Sequence, residues 1–87
     1  MKTVRVEVTA EDIEEGQPNM CRACPVALAI RRATKAEEVF VIRTATIYPP
    51  AGMSYVVALP YEVITFIERF DLDAHVEPFE FSLEIPA

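Results

Sequence analysis

The residues with the greatest chemical capacity sit in one short stretch, Met20-Cys21-Arg22-Ala23-Cys24-Pro25-Val26. Two thiols three positions apart run straight into a segment with helical spacing. Proline is tolerated only in the first turn of a helix, so Pro25 fixes the helix start beside Cys24. Both sulfurs then lie at a helix N-terminus, where the partial positive charge favours a thiolate. The single histidine of the chain, His75, is flanked by Asp71 and Asp73. Four uses are open to this set. Cys21, Cys24 and His75 can ligate zinc, with water or Asp73 completing the tetrahedron. A strong zinc signature has two full ligand pairs, however, and this chain has one. Cys21 and Cys24 can cycle as a dithiol, since a C-x-x-C pair at a helix start is the thioredoxin-type device. That fold needs another chain order, and the proline it places opposite the cysteines cannot be identified here. An iron–sulfur cluster bridging two chains is a third use. The fourth is packing alone, with both cysteines filling space beneath a helix end.

Other catalytic constellations are missing, so the chain reads as a non-enzyme that needs no cofactor unless zinc is bound. With two glycines in the whole sequence, no phosphate-cradling loop can be built. Ser54 and Ser82 fall in strand patterns, not at a nucleophile elbow. The formal charge of −6 argues against nucleic acid, which requires a basic surface. Basic residues do gather locally. Arg22, Arg31, Arg32 and Lys35 belong to the first long helix or its edges, half of the eight in the chain. Cations near a helix C-terminus stabilise it. Leu28 projects among them, away from the apolar face, so Leu28, Arg31, Arg32 and Lys35 form a stripe that a protein partner or small ligand can bind. No apolar run approaches the roughly 18 to 20 residues of a membrane span. The chain opens in an alternating strand, not a secretion signal, which places it in the cytoplasm with reduced thiols.

The elements that must position these residues follow from periodicity. The length of 87 residues predicts one domain, 1–87. Residues 2–8 alternate, with Val4, Val6 and Val8 on one side, as in a strand with one wet face. Thr9 reads as a helix cap with acids behind it, and Gly16 and Pro18 end that turn. From about 24 to 35, Val26, Ala29, Ile30 and Ala33 share a helical face. Val39 to Tyr48 favour one strand, Pro49-Pro50-Ala51-Gly52 a turn, and 54–59 a second strand. Pro60 opens a helix with Val63, Ile64, Phe66, Ile67 and Phe70 on one arc, ended by Asp71-Leu72-Asp73. Residues 79–85 alternate again, with Phe79, Phe81, Leu83 and Ile85 inward.

The order strand, helix, strand, strand, helix, strand predicts an α+β, ferredoxin-like βαββαβ fold: a four-stranded antiparallel sheet with two helices on one face. That topology gathers Cys21 and Cys24, the turn Pro49 to Met53, and the loop Asp71 to Pro78 with His75 at one rim. It also leaves Phe40 or Val41, and Val56 or Val57, on the open side of the sheet. An exposed apolar strip of that kind invites cover by another subunit, so a homodimer is expected. The open face is acidic or aliphatic, unlike the basic aromatic face that stacks RNA bases.

The stretches Val8 to Gly16, Cys21-Arg22-Ala23-Cys24-Pro25-Val26-Ala27-Leu28-Ala29 through Ala33, Leu59-Pro60 to Asp71, and Pro78 to Phe81 resemble a group of short hypothetical proteins of bacteriophages and some bacteria. The resemblance covers nearly the whole chain, and the cysteine pair followed by Pro-Val-Ala-Leu-Ala is its most specific part. It implies no catalytic residues. It implies a context in which small acidic phage proteins bind host proteins, some of them blocking host defence.

Overall fold

A computed structural model describes residues 2–86. Its elements are β1 (Lys2–Val8), α1 (Ala10–Glu15), α2 (Pro25–Thr34), β2 (Glu38–Val41), β3 (Thr44–Tyr48), β4 (Tyr55–Ala58), α3 (Tyr61–Asp71) and β5 (Phe79–Ile85). The chain is therefore mixed α+β. The single four-stranded sheet expected from the sequence is replaced by two antiparallel sheets, β1-β5 and β2-β3-β4.

The departure starts at Ile42-Arg43. Residues 39–48 do not run on as one strand but fold back, pairing Val39 with Ile47 and Val41 with Ala45. The reason lies at Arg43. In a continuous strand it would share the inward phase of Val39, Val41, Ala45 and Ile47 and bury an unpaired guanidinium. Reversing the chain there leaves Ile42 and Arg43 exposed. The Pro49 to Met53 turn then joins β3 to β4, at the end of the hairpin away from Ile42-Arg43. A second departure concerns neighbours. The terminal strands do pair, from Lys2 opposite Ile85 to Val8 opposite Phe79. It is β5 that lies against β4, whereas a ferredoxin-like sheet would put β1 between the last strand and the hairpin.

Alternation on every strand feeds one core. Val6, Val8, Val39, Val41, Ala45, Ile47, Val57, Phe81, Leu83 and Ile85 are buried, and Val26, Ala29 and Ile30 of α2 and Val63, Phe66 and Ile67 of α3 meet them. Each side chain of this size removed from water contributes about 1.5–3 kcal/mol. Phe66 packs on Phe79 with ring centroids 4.7 Å apart, tying α3 to the start of β5.

Local signals at the first two helices are followed closely. Thr9 and Asp12 form a reciprocal capping box on α1, Asp12 N–H donating to Thr9 Oγ1 at 3.1 Å and Thr9 N–H to Asp12 Oδ2 at 2.9 Å. The helix ends at Gly16, where the backbone turns extended (φ −66°, ψ 154°), and nothing larger than glycine fits there. A Cβ there would sit 2.6 Å from Pro25 Cδ and 2.8 Å from the Asp12 carbonyl oxygen. That close approach seats α1 against the start of α2.

Candidate functional site

Cys24 is the N-cap of α2, and Pro25 is its first residue. The Sγ accepts a hydrogen bond from Ala27 N–H at 3.4 Å. Cys21 lies in the turn just before it, closed by Ala23 N–H donating to the Met20 carbonyl at 3.0 Å. Neighbouring elements hold this turn. Val41 N–H of β2 donates to the Cys21 carbonyl at 2.8 Å. Asp71 at the end of α3 accepts from Asn19 N–H at 2.9 Å, and Asn19 takes the left-handed conformation, φ 62°. The two thiols thus stand at a junction of α2, β2 and α3.

They line one hollow of about 320 Å³, with Met20, Val41, Ile64 and Ile67 as its apolar wall and Arg43, Glu68 and Asp71 as its charged residues. Both cysteines are free, Cys21 half-buried and Cys24 buried. Burial pushes the Cys24 thiol above its ordinary range. The backbone N–H groups of Ala27 and Val26 pull it down, the charges of Asp71 and Cys21 push it up, and the balance stays upward. The thiolate expected from the helix dipole is therefore not the resting form of Cys24 at neutral pH. Desolvation outweighs the helix end.

The rim is also composed differently from the sequence expectation. Because the chain reverses at Ile42-Arg43, those two residues line the thiol hollow, and Pro49 to Met53 do not. Asp71 is present as expected. His75 is not: it lines a separate hollow with Glu62, Phe66, Arg69 and Phe79, and its Nε2 lies 3.1 Å from Glu77 Oε1. Among the described residues no group of three or more His, Cys, Asp or Glu side chains could hold a metal ion. Cys21, Cys24 and His75 are thus not assembled into the three-ligand zinc set.

Leu28, Arg31, Arg32 and Lys35 do meet, around a shallow hollow shared with Asp12 and Glu15. Leu28 is half-buried there and not projecting freely. Arg32 is committed to partners within the chain, although its side chain is 53% exposed. Its Nη1 and Nη2 donate to Asp12 Oδ1 at 2.9 Å and Oδ2 at 2.8 Å, and Nη2 also to the Glu7 carbonyl at 2.8 Å. This fork locks α1 and the end of β1 to α2. Burial alone would push the Asp12 carboxyl up, but the hydrogen bonds from Arg32 and Thr9 outweigh it and hold Asp12 below the usual carboxylate range. Arg31 and Lys35 remain exposed. The Asp12–Arg32 clasp was missed by sequence reading. Its only trace was a capping acid and an arginine twenty residues apart, joined by tertiary folding.

The helix-free face of β2-β3-β4 carries Phe40, Thr46, Tyr48 and Val56, the outward alternates of the buried set. Val56 is 64% exposed and Tyr48 38%, with Ile42 at 71% beside them. The Phe40 ring meets Tyr48 edge-on at 5.6 Å and lies under the Arg22 guanidinium at 4.4 Å, itself paired with Glu38 at 3.0 Å. No helix among the described residues is long and apolar enough to cross a membrane.

Comparison with protein-family models, with curated proteins and with solved structures found no match.

Proposed function

We propose that this is a small non-enzymatic interaction protein, a bacteriophage accessory protein of the host cytoplasm that pairs with a second copy of itself and binds a host protein or small ligand. The observation that carries the reading is the outer face of β2-β3-β4, where Val56 and Tyr48 present exposed apolar surface beside Phe40, itself half-buried under Arg22. Apolar patches on small proteins mark interaction surfaces. A second copy is a fitting cover, because Val56 and Tyr48 flank Thr46 on one face, with Arg22 and Glu38 supplying one charge of each sign at its edge. At the hollow on α2, Arg31, Lys35 and the half-buried Leu28 remain for a partner of acidic character, while Arg32 keeps that helix in place.

The test is solution mass by light scattering, with wild type beside Val56→Lys. Wild type is expected at twice the chain mass. Val56→Lys is expected at the chain mass with an unchanged circular-dichroism spectrum. A strictly monomeric wild type that also retains no protein from host lysate overturns the reading.

A further inference from the structure

We propose that Cys21 and Cys24 together bind one monovalent copper ion in the hollow they share. The reasoning begins with ligand number. Zinc sites draw on three or four protein ligands, and the structure supplies two thiols here while His75 lines another hollow. The carboxylates nearby, Glu68 and Asp71, are hard donors, and Asp71 already accepts from the Asn19 N–H. What remains is soft: two cysteines with the Met20 thioether on the same wall. Soft sulfur ligands select copper in its lower oxidation state, and that ion, with a filled d shell, is satisfied by two or three of them.

The surroundings fit the same ion. Val41, Ile64 and Ile67 make much of the wall apolar, which limits water at a site that does not need it as a ligand. The turn that carries Cys21 is fixed from two sides, by Val41 N–H on the Cys21 carbonyl and by Asp71 on Asn19. Little ordering is left to be done on binding. The step balances without an oxidant. Each S–H bond breaks, both protons leave to solvent, two Cu–S bonds form, and copper remains monovalent. The bis-thiolate centre carries one negative charge, and Arg43 lines the hollow as the nearby cation.

The experiment is competition between the protein and a chromogenic copper(I) chelator, without oxygen and with ascorbate as reductant, alongside thermal unfolding with and without the metal. Wild type is expected to take up one copper per chain and to unfold at a higher temperature when loaded, because the ion binds the folded state. Cys21→Ser and Cys24→Ser should each lose affinity by at least the roughly 100-fold that removing even an outer-shell partner can cost. Serine at position 24 still caps the helix through its hydroxyl, so that variant keeps its fold. His75→Ala should bind as wild type does. Full copper binding by Cys24→Ser, loss of copper in His75→Ala, or a loaded protein that unfolds no higher than the free one each overturns the proposal. None of these readouts depends on whether the chain pairs with itself.

Discussion

On β1 and β5 the outward positions are Thr3, Arg5, Glu7, Glu80, Ser82 and Glu84; on β2, β3 and β4 they are Glu38, Phe40, Thr44, Thr46, Tyr48, Val56 and Ala58. The inward positions of both sheets are apolar, Val, Ile, Leu, Ala and Phe with Tyr55, and meet in one core. One sheet therefore meets water largely with charge, the other largely with apolar side chains and threonine, Glu38 being its one charge. Charged outer faces keep a two-stranded ribbon soluble and discourage further pairing. The outer face of the three-stranded sheet carries much less charge, so the two sheets share an inward chemistry and differ in the outward one.

The largest effects should test whether the inward faces act as one body. Leu83, in β5, and Ile47, in β3, are both fully buried. Leu83→Ala and Ile47→Ala should each destabilise by about 2–5 kcal/mol, the usual span for truncating a buried aliphatic side chain. Urea unfolding should show a single transition in both variants. If one substitution melts only part of the far-ultraviolet signal, the two sheets are separate folding units and the shared core is not cooperative.

Next in size is the clasp that only the β1 side possesses. Asp12→Ala removes the side-chain half of the α1 capping box and the carboxylate that holds Arg32, leaving the Thr9 cap itself in place, and should cost about 2 kcal/mol. The pH dependence has a definite sign. The Asp12 carboxyl sits below its ordinary value in the folded chain, so near that range the unfolded chain binds more protons. Its contribution is whole above the unfolded pKa, about 3.9 for aspartate. It is lost as pH falls through the folded value. Wild type should lose stability over that acid window more steeply than Asp12→Ala, as read by denaturant midpoints at stepped pH.

These two predictions also mark what the sequence made legible. The Thr9–Asp12 box and the Pro25 start were readable because both are local, set by residues within one turn. The inward faces of β1, α3 and β5 were readable because their periodicity is unbroken. The hairpin at Ile42-Arg43 was not, since Val41-Ile42-Arg43-Thr44 contains no Gly, Pro, Asn or Asp to announce a turn. The one available signal was Arg43 itself, a charge in the buried phase of an otherwise apolar run. Missing it misplaced the Pro49 to Met53 turn, and the single-sheet topology inferred around it set His75 beside the cysteines. The thiol hollow was half legible: spacing predicted that Cys21 and Cys24 share a helix start, but the sign of the Cys24 shift depended on burial that only packing reveals.

A paired substitution addresses the outer faces directly. Val56→Lys and Thr3→Lys each add one positive charge to an exposed outward position, one per sheet. Both should leave stability within about 0.5 kcal/mol of wild type, as surface changes usually do. Only Val56→Lys should disperse the dimer proposed above. If Thr3→Lys disperses it and Val56→Lys does not, the interface lies on the charged ribbon and the contrast between the faces is inverted.

The smallest effect is expected where the ribbon looks most tightly bonded. Arg5 pairs with Glu80 across β1-β5, yet their side chains are 68% and 48% exposed, and exposed ion pairs contribute little because solvent screens them. Glu80 nonetheless faces Glu7 directly in the ladder, an opposition of like charges that Arg5 relieves from the diagonal position. The hydrogen bond and charge of Arg5 hold the Glu80 carboxyl below the usual carboxylate range. Arg5→Ala should therefore raise the Glu80 titration midpoint, as followed by NMR of its side-chain carboxyl. At low salt and above the acid range the unfolding midpoint should fall slightly, and high salt should erase the difference. A large loss that survives high salt would mean that the outer face of the ribbon contributes packing as well as charge, and the division of labour between the two sheets would have to be redrawn.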